Sequence, residues 1–68
     1  MRIIDLLSVA KDRDCTFIIS YRRTFVGFFT MGELILNDSL TRKEIRTLKA
    51  RTHNLRTTYI IDCFDKEE

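Results

Sequence analysis

The sequence lacks proline and tryptophan, and it has only two glycines and one histidine in its 68 residues. With so few chain breakers, no linker is visible, so we expect a single domain over residues 1–68. The core of so small a domain typically contributes only about 3–5 kcal/mol. A partner, or a second copy of the chain, could therefore add to its stability.

Long apolar runs are also missing. None approaches the roughly 20 residues of a membrane-spanning helix, and the N-terminus lacks the pattern of a secretory signal. We therefore expect a cytoplasmic protein with reduced thiols and no membrane partner. Cys15 and Cys63 match no metal-binding or redox spacing. Both fall in predicted strands, so a disulfide remains an alternative if those strands are neighbours.

Groups suited to catalysis are scarce. The single His53 lies in a polar turn, the acidic residues are scattered, and no glycine-rich phosphate loop is present. One histidine and two distant cysteines do not make a recognisable metal site. We expect a protein that is not an enzyme and that binds no cofactor and no metal.

Charge is distributed unevenly, although the net formal charge is only +2. Residues 42–56 are strongly basic and contain Glu44 as their only acid, whereas residues 65–68 should form a frayed acidic tail. The basic segment is a candidate contact for nucleic acid or an acidic partner, and a solvated charged face is the simpler alternative. Its basic residues are Arg42, Lys43, Arg46, Lys49, Arg51 and Arg56.

Apolar periodicity predicts an opening helix followed by a hairpin. Apolar residues at positions 3, 6, 7 and 10 form one helical stripe, and four charged residues at 11–14 mark a turn. CTFIISY and TFVGFFT read as two strands. If Arg22-Arg23 is a two-residue loop, Phe17 lies opposite Phe28. Arg-Arg suits the turns of such loops poorly, so a four-residue connection is also plausible.

The next element is predicted by a helix-start signal. Thr30 and Glu33 have the spacing of a capping box, which favours a short helix over residues 31–36. A polar segment at 37–39 should end this helix.

The segment over residues 42–52 can be interpreted in two ways. Thr41 and Glu44 have the spacing of a second capping box and favour a helix. Only two large apolar residues follow, however, and the threonines favour a strand. LRTTYIIDCF, after a turn at His53-Asn54, is a clearer final strand.

In this order the elements resemble a loose group of short proteins encoded by bacteriophages and prophages. Residues 3–7 match its I-x-D/E-L-L helix, 30–34 its T-x-G-E-L-L turn-helix, and 43–48 its R-E-V-x-S-I strand. Lys43 and Thr47 replace the Arg and Ser usual in that group. The resemblance implies a strand over residues 44–51, and a small accessory protein of a mobile element that binds one host protein.

We predict an α+β fold in which an amphipathic helix packs on a small, mostly antiparallel sheet, in the order α-β-β-short α-β-β. One helix cannot cover both faces of such a sheet, so the second face either packs on the second helix or meets another chain. The candidate protein-interface residues on that face are Ile18, Phe25, Phe29, Ile60 and Phe64.

The leading hypothesis is a phage or prophage protein that binds a host or phage protein. One version is an inhibitor of a host defence nuclease such as a CRISPR effector, and a homodimer is a further candidate assembly. The alternative is a nucleic-acid-binding accessory protein that uses residues 42–56. RRTFVGFF partly matches an RNA-recognition pattern, but its rings are expected on two different faces, which disfavours a base-stacking platform.

Overall fold

The computed structural model describes residues 1–10 and 15–65, and its element order confirms the predicted α+β fold with one additional helix. The helices are α1 (Ile3–Val9), α2 (Met31–Ile35) and α3 (Asp38–Thr41). The strands are β1 (Thr16–Tyr21), β2 (Thr24–Thr30), β3 (Glu44–His53) and β4 (Arg56–Phe64). Among these described residues no helix is long and apolar enough to cross a membrane.

The four strands form one sheet in the order β2-β1-β4-β3. β1 pairs with β2 and β3 pairs with β4 in antiparallel fashion, whereas the central pair β1–β4 is parallel. The sheet is therefore mostly antiparallel, as predicted. A parallel pair needs a long connection, and the segment containing α2, α3 and β3 provides it.

All three helices contribute to one core on one face of the sheet. α1 buries Ile3, Leu6 and Leu7 of its predicted stripe, whereas Ala10 follows the helix and is half-buried. α2 and α3 add one leucine each. We call this the helical face. Its central strand residues are almost fully buried. They are Phe17 and Ile19 of β1, and Ile61 and Cys63 of β4.

The first residues of the chain bind the start of β3. The amide of Ile45 donates to the carbonyl of Met1 at 2.7 Å, and the amide of Ile3 donates to the carbonyl of Lys43 at 3.0 Å. The N-terminal ammonium lies 3.2 Å from Oε2 of Glu44. Glu44 is thus the first residue of a strand, β3, and not part of a helix. The helical interpretation of residues 42–52 is therefore wrong.

The helix start at Thr30 is confirmed. Its hydroxyl accepts from the amide of Glu33 at 3.2 Å, and its own amide donates to the Glu33 carboxylate at 3.0 Å. That donated bond lowers the pKa of Glu33. α2 ends at Ile35, just before the polar segment predicted to end it. That segment also starts α3, which was not predicted, because the side chain of Asn37 accepts from the amide of Leu40 at 3.2 Å.

The loop between β1 and β2 is a two-residue turn, not the four-residue connection considered above. Arg22 and Arg23 both have positive φ, 51° and 69°. This conformation costs roughly 1–2 kcal/mol per non-glycine residue. Contacts with β4 offset the cost, because Arg22 N donates to the carbonyl of Cys63 at 3.0 Å and Arg23 N donates to Oδ1 of Asp62 at 2.7 Å.

A β-bulge changes the predicted register of this hairpin. Ser20 lies opposite Phe25 but Ile19 lies opposite Gly27, so β2 has one extra residue between the two pairs. Phe17 consequently faces Phe29 and not Phe28. The extra residue exchanges the faces of the side chains that follow it, so Phe29 and not Phe28 points toward the helices, whereas Phe25 stays on the opposite face as predicted.

The alternative of a disulfide is also excluded by the register. Cys63 is opposite Tyr21 in the parallel pair, whereas Cys15 precedes β1 at the other end. Six residues of strand separate these positions, which is roughly 20 Å at 3.3 Å per residue. Disulfides need Cα atoms within about 7 Å. Both cysteines are buried thiols.

Two predictions fall wholly or partly outside the described residues. The turn predicted at residues 11–14 lies outside them, and so do residues 66–68 of the predicted tail. Asp65, the first residue of that tail, accepts hydrogen bonds from Tyr21 and Lys43.

The bulge can be tested by comparing two neighbouring phenylalanines. Phe29 packs against the core, whereas Phe28 is 66% exposed. We expect Phe29→Ala to lower the free energy of unfolding by about 2–3 kcal/mol and Phe28→Ala by less than about 1 kcal/mol. Urea unfolding would measure both, with Phe29→Leu as a milder variant if the alanine form does not fold. The reverse order of costs would support the register without a bulge.

Candidate functional site

The sheet face opposite the helices is the candidate site, and we call it the open face. At its centre, Ile18 and Ile60 lie directly opposite one another, as do Ser20 and Asp62 in the next pair along. These four residues are only half-buried, whereas their neighbours on the helical face are almost completely buried. Two aliphatic side chains at the centre of the sheet are thus left accessible.

Two aromatic rings extend this apolar centre toward the β2 edge. The register places Phe28 opposite Ile18, and Phe25 opposite Ser20, so both rings lie on the open face. Their centroids are 5.3 Å apart with an interplanar angle of 64°, an edge-to-face pair. With Phe25 56% and Phe28 66% exposed, the pair keeps most of its surface available for contact.

Basic side chains border the other side of the apolar centre. Lys49 pairs with Ile60 and Arg51 pairs with Thr58, so both share the face of these β4 residues. Arg56, two positions before Thr58, follows the same alternation. We call Lys49, Arg51 and Arg56 the basic strip. All three are exposed.

A shallow hollow of about 190 Å³ lies near the centre of this face. Arg23 and Arg46 provide cations to its lining, and Asp62 and Thr47 provide acceptors. Small-molecule sites usually measure about 300–1,000 Å³. The hollow is therefore better suited to one side chain of a partner than to a cofactor.

Charge is segregated between the two sides of the molecule. The helices carry Asp5, Glu33 and Asp38 and contain no lysine or arginine. The open face carries the basic strip together with Arg46. Its central carboxylate, Asp62, already accepts a hydrogen bond from the turn. The open face therefore attracts negatively charged partners.

The predicted interface residues do not all lie together. Ile18, Phe25 and Ile60 lie on the open face. Phe64 follows the alternation of β4 onto the same side, where the Arg46 guanidinium lies 5.7 Å from its ring centre. The placement of Phe29 on this face was wrong, because the bulge turns its side chain toward the core.

The predicted basic segment is also divided by the fold. Arg46, Lys49, Arg51 and Arg56 contribute to the open face. Arg42 instead ends α3. Lys43 is half-buried and binds Asp65 at 2.8 Å, which ties it to the fold.

Sequence reasoning missed two open-face residues, Phe28 and Arg23. Phe28 was assigned to the helical face because the unbulged register was assumed. Gly27 was the available signal, since glycine within a strand often marks a bulge. Arg23 was expected at a hairpin tip, and its place in the hollow follows from the return of β4 beside β1.

A polar cluster fixes the chain beyond the end of β4. The Tyr21 hydroxyl donates to Oδ2 of Asp65 at 2.6 Å, and Nζ of Lys43 donates to Oδ1 at 2.8 Å while lying 4.7 Å from the Tyr21 ring centre. The bonds from Lys43 and then Tyr21 lower the pKa of Asp65. The bond to Asp65, with a smaller contribution from burial, raises the pKa of Tyr21. The cluster is a structural clamp at the edge of the core.

Reactive groups are few in the part of the chain that the structure describes. Within residues 1–10 and 15–65, no three His, Cys, Asp or Glu side chains converge as a metal site requires. His53 is exposed at the end of β3. Burial raises the pKa of the Cys63 thiol, which lies 3.2 Å from the carbonyl oxygen of Ser20. The neutral thiol is therefore favoured over the nucleophilic thiolate.

Comparison of the chain with protein-family models, with curated proteins and with solved structures finds no match. The phage resemblance therefore stays a prediction. The function has to be argued from the open face, whose apolar centre and basic border are its two distinctive properties.

The clamp around Asp65 should show itself in the pH dependence of stability. A carboxyl with a lowered pKa stabilises the fold above its ordinary pKa near 4, and this contribution is lost as pH falls through the lowered value. The raised pKa of Tyr21 acts at alkaline pH. Its contribution to the stability of the fold is present below about pH 10 and is lost as the pH rises above that value. Asp65→Asn should lower stability at pH 7 and reduce the loss of stability as the pH falls below about 4.

Thermal unfolding at several pH values would measure this effect. Asp38→Asn, which removes an exposed carboxylate from α3, is the matched control. If both variants had the same acid dependence as the unmodified chain, the clamp would have no role in stability.

Proposed function

We propose that this chain is a non-enzymatic binding protein that acts by protein–protein contact through its open face. The observation that carries the proposal is the apolar patch formed by Ile18, Phe25, Phe28 and Ile60 on a face that no described helix covers. An accessible apolar centre with a charged border is the usual anatomy of a protein interface. Exposed aromatic and arginine side chains are typical of the residues that dominate binding energy.

The chemistry of the open face indicates which kind of partner surface it can bind. β2 and β3 are three strand spacings apart, so the aromatic pair and the basic strip are separated by roughly 14 Å. Between them lie Ile18 and Ile60, which offer aliphatic packing to a partner side chain. We infer that the partner has an apolar protrusion next to acidic residues.

We further propose that the protein is encoded by a phage or prophage and acts in the cytoplasm of an infected or lysogenic bacterial cell on a host or phage protein. The sequence resemblance supports this origin. If the target is a defence nuclease such as a CRISPR effector, charge restricts the mode of inhibition. Nucleic-acid grooves are themselves basic and repel a basic face. Inhibition would therefore use an acidic surface of the nuclease.

Affinity capture from bacterial lysate tests the proposal. The tagged protein should retain a specific protein after nuclease treatment of the lysate, and Ile60→Ser and Arg51→Glu should each reduce capture at least about tenfold by disrupting the apolar centre and the basic strip. Arg42→Glu is the matched control, because it makes the same charge change outside the open face. It should leave capture unchanged.

Two results would contradict protein contact through this face. One is the absence of any protein above background. The other is capture that Arg42→Glu reduces as strongly as Arg51→Glu. Far-ultraviolet circular dichroism of each variant would show whether the fold is intact.

A second candidate function, binding of single-stranded nucleic acid, is favoured by one specific observation. Phe25 and Phe28 share the open face with the basic strip, whereas the sequence predicted that they would lie on opposite faces. Exposed rings beside cations form the usual platform for unpaired bases. The face therefore has the components for stacking as well as for phosphate contact.

Fluorescence titration with a labelled 12-nucleotide strand at 50 and 200 mM salt separates the two candidates. Nucleic-acid binding through about four cations should weaken with a slope near −3 in log K against log salt. Phe28→Ala should then cost about 1–3 kcal/mol of binding. No binding at 50 mM salt removes this candidate, and salt-dependent binding that persists in Phe28→Ala argues against stacking.

A further inference from the structure

The two edges of the sheet are chemically different. The β3 edge carries Glu44, Arg46, Lys49 and Arg51, and its charges discourage another strand from pairing with it. The β2 edge has the sequence TFVGFFT, which contains no charged residue and no proline. Natural sheets usually protect their edges with such residues. The β2 edge lacks this protection.

Large apolar side chains are exposed along the same strand. Phe25, Val26 and Phe28 are 56%, 45% and 66% exposed. The bulge disturbs the strand near the turn, and the amide of Thr30 already donates to the Glu33 carboxylate, so the edge stretch that remains for a partner is Gly27 to Phe29, which pairs regularly with β1. A partner strand can therefore align with the second half of β2, where Phe28 projects.

We propose that a second copy of this chain pairs with β2 along this edge. The two β2 strands would run antiparallel about a twofold axis, which is the common symmetry of homodimers. The result is one continuous eight-stranded sheet. Phe28 of each copy becomes a cross-strand neighbour of the other copy's β2, which buries part of its exposed ring.

The distribution of charge favours pairing of the two β2 edges over stacking of the two open faces. Stacking two open faces would bury the basic strips and Arg46 of both copies, and removing charges without an opposite partner from water is costly. Edge pairing keeps the basic strips apart, because β2 and β3 are at opposite ends of each sheet. The uncharged edge is thus the only one of the two edges that a second copy meets without repulsion.

The dimer also changes the binding face. The aromatic pairs of both copies would form one central patch, and the two β3 strands would lie seven strand spacings apart, roughly 34 Å. A partner of the dimer would then present an apolar centre between two acidic regions. The dimer itself follows from the β2 edge and does not depend on the proposed function.

Sedimentation equilibrium of the full chain over about 10 μM to 1 mM tests the pairing. We expect a species of twice the 8.1 kDa chain mass at high concentration. Phe28→Lys should raise the dissociation constant of the dimer at least about tenfold, because it places a charge on both sides of the axis. Leu55→Lys is the matched control: Leu55 is 92% exposed and lies in the turn between β3 and β4, on the side of the sheet opposite β2, so its replacement should leave the constant unchanged.

A charge-pair experiment and hydrogen exchange test the geometry. Phe28→Glu alone should raise the dissociation constant of the dimer in the same way, whereas its mixture with Phe28→Lys should restore the dimer. Amides in β2 should gain protection from exchange as the concentration rises, and those in β3 should not. A chain that remains at 8.1 kDa at 1 mM would overturn the proposal. So would a dimer that protects β3, or one that Phe28→Lys leaves intact.

Discussion

Helices of seven, five and four residues cannot cover both faces of a four-stranded sheet. The chain places all three on one side, where they bury Phe17 and Ile61 almost completely. Nothing of comparable size among the described residues remains for the other side, so Ile18 and Ile60 stay half-buried. The candidate binding surface is therefore a direct consequence of the small size of the domain. Within the described residues, the burial of this face is therefore incomplete.

The features predicted from sequence are those that depend on near neighbours in the chain. The apolar stripe of α1 and the capping box of Thr30 and Glu33 are complete within a few residues, and both are found in the structure. The capping-box spacing of Thr41 and Glu44 does not start a helix, because Glu44 binds the N-terminus across 43 positions of the chain. Contacts between distant segments override local preference, and spacing rules cannot anticipate them.

The candidate site was predicted less completely than the fold. Side chains alternate along a strand, so one bulge that the assumed register did not include moves Phe28 and Phe29 to opposite faces from those expected. The bulge accompanies the Arg22-Arg23 turn, whose positive φ angles are supported by bonds to a strand more than 35 positions later in the chain. The basic residues were easier to identify by composition, yet Lys43 is bound to Asp65 and does not join them on the open face. The sequence shows which residues are basic or aromatic, but it does not show toward which face of the sheet each side chain points.

Within the described residues, the helices themselves carry only acidic charges and the open face is mainly basic, and this separation contributes an electric dipole across the sheet. In the field of an acidic macromolecule such a dipole rotates into alignment before the two molecules come into contact. Collisions then occur mainly with the sheet side leading, which increases the fraction that are productive. The net charge of the chain is only +2, so this orienting torque adds to a weak overall attraction. Adding salt would shorten its range to about a Debye length.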